Sequence, residues 1–143
     1  MTPRLRPATE ADHAFLWRLH CEAMRTYVEA TWGWDEADQR RRFDATFEPE
    51  RVSIVVVRDE PVGMRQVERR SDEVVLVAVE VLPEWQGQGI GTRVVSRVVE
   101  EAGGVPVSLQ VLKVNPARAL YERLGFVTDG ETATHVTMRR PVR

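Results

Sequence analysis

The chain has 143 residues, so we expect one domain spanning residues 1–143, with no room for a second. Hydrophobic residues make up 43% of the chain and charged residues 29%, the proportions of an ordinary globular protein. Twenty basic residues against 22 acidic ones give a net charge of −2. This balance argues against a dedicated nucleic-acid binder and against a polybasic membrane-surface protein.

The first residues are predicted to form a short strand and then a helix. Arg4 to Arg6 is a strand candidate that stops at Pro7, and Thr9 followed by Asp12 has the spacing of a capping box. An amphipathic helix is predicted from Glu10 to about Arg25. Its apolar residues at a spacing of four are Phe15, Leu19, Ala23 and Tyr27.

A second helix is predicted after a short aromatic loop at residues 31–34. Asp35 can cap this helix, and Pro49 ends it. The run Arg40-Arg41-Arg42 lies among acidic residues in the same segment. We therefore interpret the run as a salt-bridged, solvent-facing surface and not as a nucleic-acid patch.

The middle of the chain changes to strand-forming sequence. Strands are predicted at Ile54–Val57, Val62–Val67 and Val74–Val81, and the third is apolar on both faces, which is typical of a central strand. A helix over Thr92–Ala102 follows, and then a strand over Val107–Leu112.

The last quarter is predicted to hold a helix and two closing strands. The helix opens at Asn115-Pro116 and runs to Leu124, with Gly125 as its C-cap. The strands Phe126–Thr128 and Thr132–Met138 are expected to pair antiparallel across Asp129-Gly130. The order β-α-α-β-β-β-α-β-α-β-β predicts a mixed α/β (α+β) sandwich.

Neither metal nor membrane chemistry is indicated by the sequence. The single cysteine, Cys21, excludes an internal disulfide and a cysteine-based metal cluster. The longest apolar run, Val74 to Val79, is far shorter than the roughly 20 residues that cross a bilayer. No apolar core of a signal peptide follows Met1. We expect a cytoplasmic protein with no metal, no membrane partner and no nucleic-acid partner.

The most informative segment is the glycine-rich turn Gln86-Gly87-Gln88-Gly89-Ile90-Gly91, between a predicted strand and a predicted helix. Free amides at a helix N-terminus, reached closely because β-carbons are missing, favour a phosphate or pyrophosphate. The G-x-G-x-G spacing is not the dinucleotide fingerprint, and no Lys-Ser or Lys-Thr pair follows as in a P-loop. The alternative is a tight strand-to-helix connection without a ligand.

The turn resembles the Q/R-x-x-G-x-G/A acetyl-CoA signature of the GNAT superfamily of N-acetyltransferases. Downstream, Asn115 and the run Leu120-Tyr121-Glu122-Arg123-Leu124-Gly125-Phe126 resemble that family's Asn…Leu-Tyr-x-x-x-Gly-Phe motif. With the strand before the turn, the resemblance covers Val74 to Phe126. It implies a mixed central sheet of six to seven strands flanked by about four helices. Two parallel strands splay apart in that fold to form a wedge for CoA.

The resemblance also implies a site for acetyl-CoA. The pantetheine arm would pair with free backbone groups of Val79 and Val81, and the amides from Gly87 to Thr92 would hold the pyrophosphate. Asn115 would lie near the pantetheine, although a plain helix cap is the alternative for it. The implied cofactor-binding residues are Val79, Val81, Leu82, Gln86, Gly87, Gln88, Gly89, Ile90, Gly91, Thr92 and Asn115.

Two side chains are the catalytic candidates. By resemblance, the Tyr121 hydroxyl protonates the departing thiolate; core packing is the alternative. Glu80, the one charge in its strand, is the candidate base, directly or through water, unless it points to solvent or pairs with an arginine. Gln110 cannot take a proton but can hydrogen-bond a substrate. The amide of Leu82 or Val81 is the implied oxyanion donor.

The acceptor is expected to be a primary amine of a small molecule or a peptide. The candidate substrate-binding residues are Tyr27, Trp32, Trp34 and Gln110. Core packing is the alternative for each aromatic, and His20 and His135 are expected to be structural. Two other functions stay open: a catalytically silent CoA-binding sensor or protein-interaction module, and a structural partner without CoA. Exposed terminal strands would allow a homodimer.

Overall fold

A seven-stranded sheet organises the computed structural model, which describes residues 2–142. The strands are β1 Arg4–Pro7, β2 Val52–Val57, β3 Glu60–Arg69, β4 Val74–Val81, β5 Val107–Leu112, β6 Val127–Glu131 and β7 His135–Arg140. The α-helices are α1 His13–Trp32, α2 Glu36–Ala45, α3 Ile90–Ala102 and α4 Ala117–Arg123. Short 3-10 turns cover Glu10–Asp12, Pro49–Arg51 and Pro83–Trp85.

The strand order is β1-β2-β3-β4-β5-β7-β6, and every neighbouring pair is antiparallel except β4 with β5. The predicted mixed sheet with about four helices is therefore confirmed. β4 and β5 keep the predicted bounds, because each is rich in Val and Leu and is closed by a turn.

The first helix is longer than predicted. It continues past Arg25 to Trp32, so the first part of the expected aromatic loop lies inside α1. No Gly or Pro lies between Pro7 and Gly33, whose φ of 83° ends the helix. The capping box at Thr9 and Asp12 and the Asp35 cap are confirmed.

The turn between the last two strands is not where the sequence predicted it. Asp129-Gly130 lies within β6, where a register irregularity leaves Gly130 opposite Thr137. The chain reverses later, after Thr132, whose hydroxyl accepts the backbone N–H of His135 at 2.9 Å. This Thr side chain stabilises the turn that glycine was expected to form.

A β-bulge interrupts β4. Leu76 pairs with Val67 of β3 and Ala78 pairs with Gln66, which leaves Val77 as an extra residue. A bulge bends its strand and disrupts the ladder. Pairing between β4 and β5 ends at the same place, with Leu76 opposite Leu109. Beyond this point the two parallel strands separate, and the predicted splay is confirmed.

The bulge also changes which face of the sheet each side chain takes. Leu76 packs in the core under α3 and α4, whereas Ala78 packs in the core under α1. Val79 returns to the α3 side. Because side chains alternate along a strand, Glu80 lies on the α1 side, whereas regular alternation from Leu76 with Val77 paired would place it under α3.

Gly63 on β3 provides a test of how closely the strands approach one another at the end of β4. A β-carbon at Gly63 would overlap the carbonyl oxygen of Glu80 and lie 3.3 Å from Val81 Cα. Gly63→Ala should therefore lower the free energy of unfolding by about 1–3 kcal/mol. Urea denaturation measures this, and Gly104→Ala, where a β-carbon meets nothing within 4 Å, is the matched control. Equal stability of the two variants would contradict the close approach.

Candidate active site

The gap between β4 and β5 leaves backbone groups of β4 without a strand partner. Leu82 donates its N–H to the Val62 carbonyl oxygen at 2.8 Å, on the β3 side of β4. Because backbone groups alternate along a strand, those of Val79 and Val81 point the other way, into the gap. An extended ligand can add here as a strand would.

Two of the predicted backbone contacts need correction. The Leu82 amide is already bonded to Val62 and its side chain is buried under α1, so this residue is available neither to a cofactor nor to an oxyanion. The Val81 carbonyl accepts the Gln86 side-chain amide at 2.9 Å. Only the N–H of Val81 therefore remains for a ligand.

The glycine turn presents a row of open amides. Gly89 has a φ of 82° and directly precedes α3, and no residue within 2–142 accepts a hydrogen bond from the amides of Gly89, Ile90, Gly91 or Thr92. A β-carbon at Gly87 or Gly89 would meet nothing within 4 Å. An anion can therefore reach the positive end of the α3 dipole, and the turn fits a diphosphate.

A cavity of about 470 Å³ lies over this turn. Its walls include Val79, Val81, Gln86, Gly87, Gly89, Ile90, Gly91, Thr92, Asn115, Leu120 and Arg123. Among the predicted cofactor residues, Leu82 and Gln88 are absent from these walls. The Gln88 side-chain amide lies 3.4 Å from the Glu84 carbonyl oxygen. Tyr27 borders this cavity, whereas it was expected in the acceptor pocket.

A second cavity, of about 1000 Å³, lies on the α1 side of the gap. Consecutive residues 76–80 of β4 and 109–112 of β5 border it, so it opens directly into the gap. The predicted acceptor residues Trp32, Trp34 and Gln110 are in its wall. The indole Nε1 of Trp34 is buried without a hydrogen-bond partner in the part of the chain described.

The two cavities meet at a small set of shared residues: Met24, Val79, Glu80, Asn115 and Tyr121. Both catalytic candidates belong to this set. Its members come from α1, from β4 and from the start and middle of the α4 segment, which are far apart in the chain. The splay of the sheet is what brings them together.

Tyr121 on α4 is buried, with 9% of its surface exposed, and its ring packs edge-on against Phe126 at 5.8 Å. Core packing and a site role therefore coexist in this residue. Burial raises the pKa of the Tyr121 phenol above its ordinary value, so the hydroxyl keeps its proton at neutral pH. It can act as a proton donor.

Glu80 is largely buried, and its partner is a histidine, not the arginine considered from the sequence. The Nδ1 atom of His20 on α1 lies 3.6 Å from the Glu80 Oε2 atom, and the Nε2 atom of His20 lies 3.1 Å from Gln39 Oε1. His20 was expected to be structural. The sequence held no signal for this pairing, because it depends on the face that the bulge assigns to Glu80.

Of the two polar groups of the Asn115 side chain, the oxygen acts as a helix cap and the NH₂ group is open to a ligand. Its Oδ1 atom accepts the Ala117 N–H at 2.9 Å, as a helix cap does. The side-chain NH₂ group has no acceptor within residues 2–142, and the residue borders both cavities. Capping and ligand contact are therefore compatible in this residue.

Within residues 2–142, no cluster of three His, Cys, Asp or Glu side chains has the arrangement of a metal site. No helix in the same range has the length and apolar character needed to span a bilayer. Arg40, Arg41 and Arg42 form ion pairs with Asp44 and Asp38, as their sequence pattern predicted.

Solved structures share this architecture. The PaiA N-acetyltransferase of Thermoplasma acidophilum, in complex with coenzyme A, aligns with a TM-score of 0.79 at 13% identity, covering 99% of each chain. An acetyltransferase of Thermus thermophilus aligns with a TM-score of 0.79 at 22% identity, over 99% of this chain and 98% of the other. The ribosomal-protein-S18-alanine N-acetyltransferase of Escherichia coli gives 0.72 at 21% identity, over 99% and 94%.

Sequence comparison adds a short match to two curated proteins and a match to a family. The mouse and human cysteine-rich protein 2-binding proteins are 39% identical over 49 residues, which is 34% of this chain. The match spans only 6% of the length of those proteins. The model of the acetyltransferase (GNAT) family matches residues 14–126. The chain therefore belongs to the GNAT family of acetyltransferases, as the two motifs indicated, and acetyl-CoA is the co-substrate that this membership confirms.

Proposed function

We propose that the protein is an N-acetyltransferase that transfers the acetyl group of acetyl-CoA to a primary amine of a small molecule or a peptide. The observation that carries this proposal is the meeting of two cavities at Glu80 and Tyr121. One cavity has the open amides of a diphosphate site, and the other has room and side chains for an acceptor. A strand gap connects them, so the thioester and the amine can approach each other from opposite sides.

The donor is bound mainly by backbone groups in this proposal. The amides from Gly89 to Thr92 hold the diphosphate, and Arg123 adds a positive charge at the wall of the same cavity. The pantetheine arm lies along β4 and pairs with the backbone groups of Val79 that face the gap, which leaves the Val81 N–H for the acetyl group. The Asn115 NH₂ group is placed to donate a further hydrogen bond.

The acceptor enters from the α1 side. Its cavity has the aromatic rings of Trp32 and Trp34 in the wall and the carboxylate of Glu80 at its inner end. Aromatic faces and a carboxylate favour a cationic ammonium group. The names of two structural neighbours agree with an amine acceptor, since one refers to a ribosomal-protein alanine and the other to an N-acetyltransferase.

The chemistry requires one proton to leave and one to be supplied. An ammonium group of pKa near 10 loses a proton to Glu80, directly or through water, and the freed nitrogen lone pair attacks the thioester carbon. The Val81 N–H is placed to stabilise the oxyanion. When the C–S bond breaks, its electron pair stays on sulfur, and Tyr121 protonates the thiolate. The products are an amide and the free thiol.

Binding and turnover together test this function. Calorimetric titration with CoA should show saturable binding, and a panel of amines should include at least one that accelerates thiol release from acetyl-CoA. Binding without acceptor-dependent release would favour the silent sensor instead. Absence of CoA binding would overturn both.

A charge placed at the α3 N-terminus should weaken donor binding. Gly89→Asp puts a carboxylate into open space beside the free amides, where it competes with the diphosphate. CoA affinity should fall by about tenfold, or about 1.4 kcal/mol, and the loss should shrink at high salt. Gly89→Asn is the matched control, because it has the same shape and the same tolerance of positive φ without the charge. Equal affinities of the two variants would exclude a diphosphate at this turn.

Removing the Tyr121 hydroxyl should slow the reaction without affecting binding. Tyr121→Phe keeps the buried ring and its contact with Phe126, so the melting temperature and CoA affinity should stay near those of the wild type. Turnover should fall by about 10²–10⁴-fold because the thiolate loses its proton donor. Steady-state thiol release with the best acceptor measures this; an unaltered rate would remove the acid role.

The two roles of the Asn115 side chain, helix capping and ligand binding, can be tested separately. Asn115→Ala removes the cap and should lower the free energy of unfolding by about 1 kcal/mol, whereas Asn115→Asp keeps an acceptor for the Ala117 N–H and should not. Both variants lose the NH₂ group, so both should bind CoA more weakly. Denaturation and calorimetry on the same pair distinguish capping from ligand binding. Full CoA affinity in Asn115→Asp would leave the cap as the whole role of this residue.

A further inference from the structure

His20 lies beside the candidate base in the wall of the acceptor cavity. It lies on α1, and its Nδ1 atom is 3.6 Å from Glu80 Oε2, an ion-pair distance slightly longer than a hydrogen bond. The two side chains are 23% and 13% exposed, so solvent screens their interaction only in part. Both side chains line the cavity that the acceptor would occupy.

The second ring nitrogen of His20 has a partner that fixes its hydrogen. Nε2 lies 3.1 Å from the Gln39 Oε1 atom on α2, and an amide oxygen only accepts hydrogen bonds. We assign the hydrogen of the neutral ring to Nε2 on this contact. Nδ1 is then the nitrogen that can gain or lose a proton, and it is the one that faces Glu80.

The rings around His20 make its surroundings largely apolar. Trp17, Trp34 and Phe43 lie with ring centroids 6.0, 5.9 and 6.2 Å from the imidazole. A charge on His20 therefore depends on the carboxylate beside it for stabilisation. Glu80 supplies that stabilisation from β4.

The other charged groups at this cavity come from the start and middle of the α2 segment: Asp35, Asp38 and Arg42. Asp38 is engaged by Arg41 and Arg42 at 3.1 and 2.9 Å. Asp35 accepts the Asp38 backbone N–H as a helix cap. Glu80 is the carboxylate within ion-pair distance of the imidazole.

The pKa of His20 is raised above its ordinary value in this environment. Burial alone would lower it, but the Glu80 carboxylate and the Gln39 acceptor together outweigh burial. The pair of side chains thus binds a proton more tightly than a free imidazole does. A base whose proton affinity is closer to that of an amine removes an ammonium proton at lower free-energy cost.

We propose that His20 acts through Glu80 as the residue that holds the acceptor's proton, so that the working base is the Glu80–His20 pair. The inference rests on the proposed function and deepens it. The N–H bond of the ammonium breaks, its electron pair stays on nitrogen, and the proton passes by the Glu80 carboxylate to Nδ1 of His20. The pair goes from one negative charge to none, and the proton later leaves through the open cavity. His20 is a positioning residue in this scheme, since Glu80 makes the contact with the amine.

The first experiment needs no substrate. The His20 ring is titrated by NMR in the wild type and in Glu80→Gln. We expect its titration midpoint to fall in Glu80→Gln, to below the ordinary imidazole value of about 6.5, because burial persists while the stabilising charge is gone. His13, which pairs with Asp44 at 2.7 Å, is the internal reference and should not move. An unchanged His20 midpoint would overturn the coupling whether or not the protein is an enzyme.

The second experiment follows the pH dependence of kcat/KM. In the wild type, the acid limb should lie above the free imidazole value, since the pair must lose its proton before it can accept one. His20→Asn should lower kcat/KM by about 10²-fold and move the acid limb to lower pH, because the imidazole that holds the proton is gone, with CoA affinity unchanged. His13→Asn, the matched substitution on the same helix, should leave the acid limb of the pH profile and the value of kcat/KM unchanged.

The outcomes separate this inference from the function it rests on. If His20→Asn has the same acid limb of kcat/KM as the wild type, the role of His20 is overturned, while the proposed acetyltransferase function stands. Where His20→Asn does not fold, His20→Gln keeps an amide near Gln39 and is read in the same way. Failure of every amine to accelerate thiol release would overturn the proposed function, and the NMR titration would still decide whether the two side chains share a proton.

Discussion

One extra residue in the central strand determines most of the candidate site. Val77 bulges out of β4, the ladder to β5 ends beside it, and the strands separate to form the gap. The same residue reverses the alternation of side chains, so that Glu80 faces α1 and not α3. The gap and the position of the candidate base are therefore set at the same point of β4. With regular alternation from Leu76, the Glu80 carboxylate would lie under α3 instead.

The two sides of the gap are built in different ways. The donor side uses backbone amides, positive-φ glycines and a helix dipole, which depend little on side-chain identity. The proposed acceptor side consists of side chains in the cavity wall: the tryptophans, Gln110 and the Glu80–His20 pair. A fold of this kind can keep one donor while its acceptor pocket changes. The glycine motif, which is local in the sequence, therefore indicates the donor, whereas no comparable motif in the chain indicates the acceptor.

The sequence predicted the features that depend on local pattern. The bounds of β4 and β5, the Thr9–Asp12 capping box and the Asp35 cap follow from residues close together in the chain. The parallel splayed pair came from the family resemblance. The α1 terminus was missed because nothing breaks the helix before Gly33, and the last turn was missed because a threonine replaces the expected glycine.

The features that sequence could not predict depend on register. Glu80 and His20 meet only because an unpaired residue shifts β4 by one position, and no composition or spacing records that shift. The Leu82 amide was expected to be free, but it continues the ladder to Val62 beyond the end of β4. Tyr27 was grouped with the tryptophans by proximity in the chain, although a helix places it toward the other cavity.

Trp32 links the two halves of the divided sheet. Its indole is 60% exposed at the end of α1, a helix packed on β2 and β3, and its ring lies 6.0 Å from that of His135 on β7. A molecule large enough to displace the indole would also release this contact across the opening. Because Trp32 lies on α1 and His135 on β7, a change in the width of this opening would alter the contact between their rings.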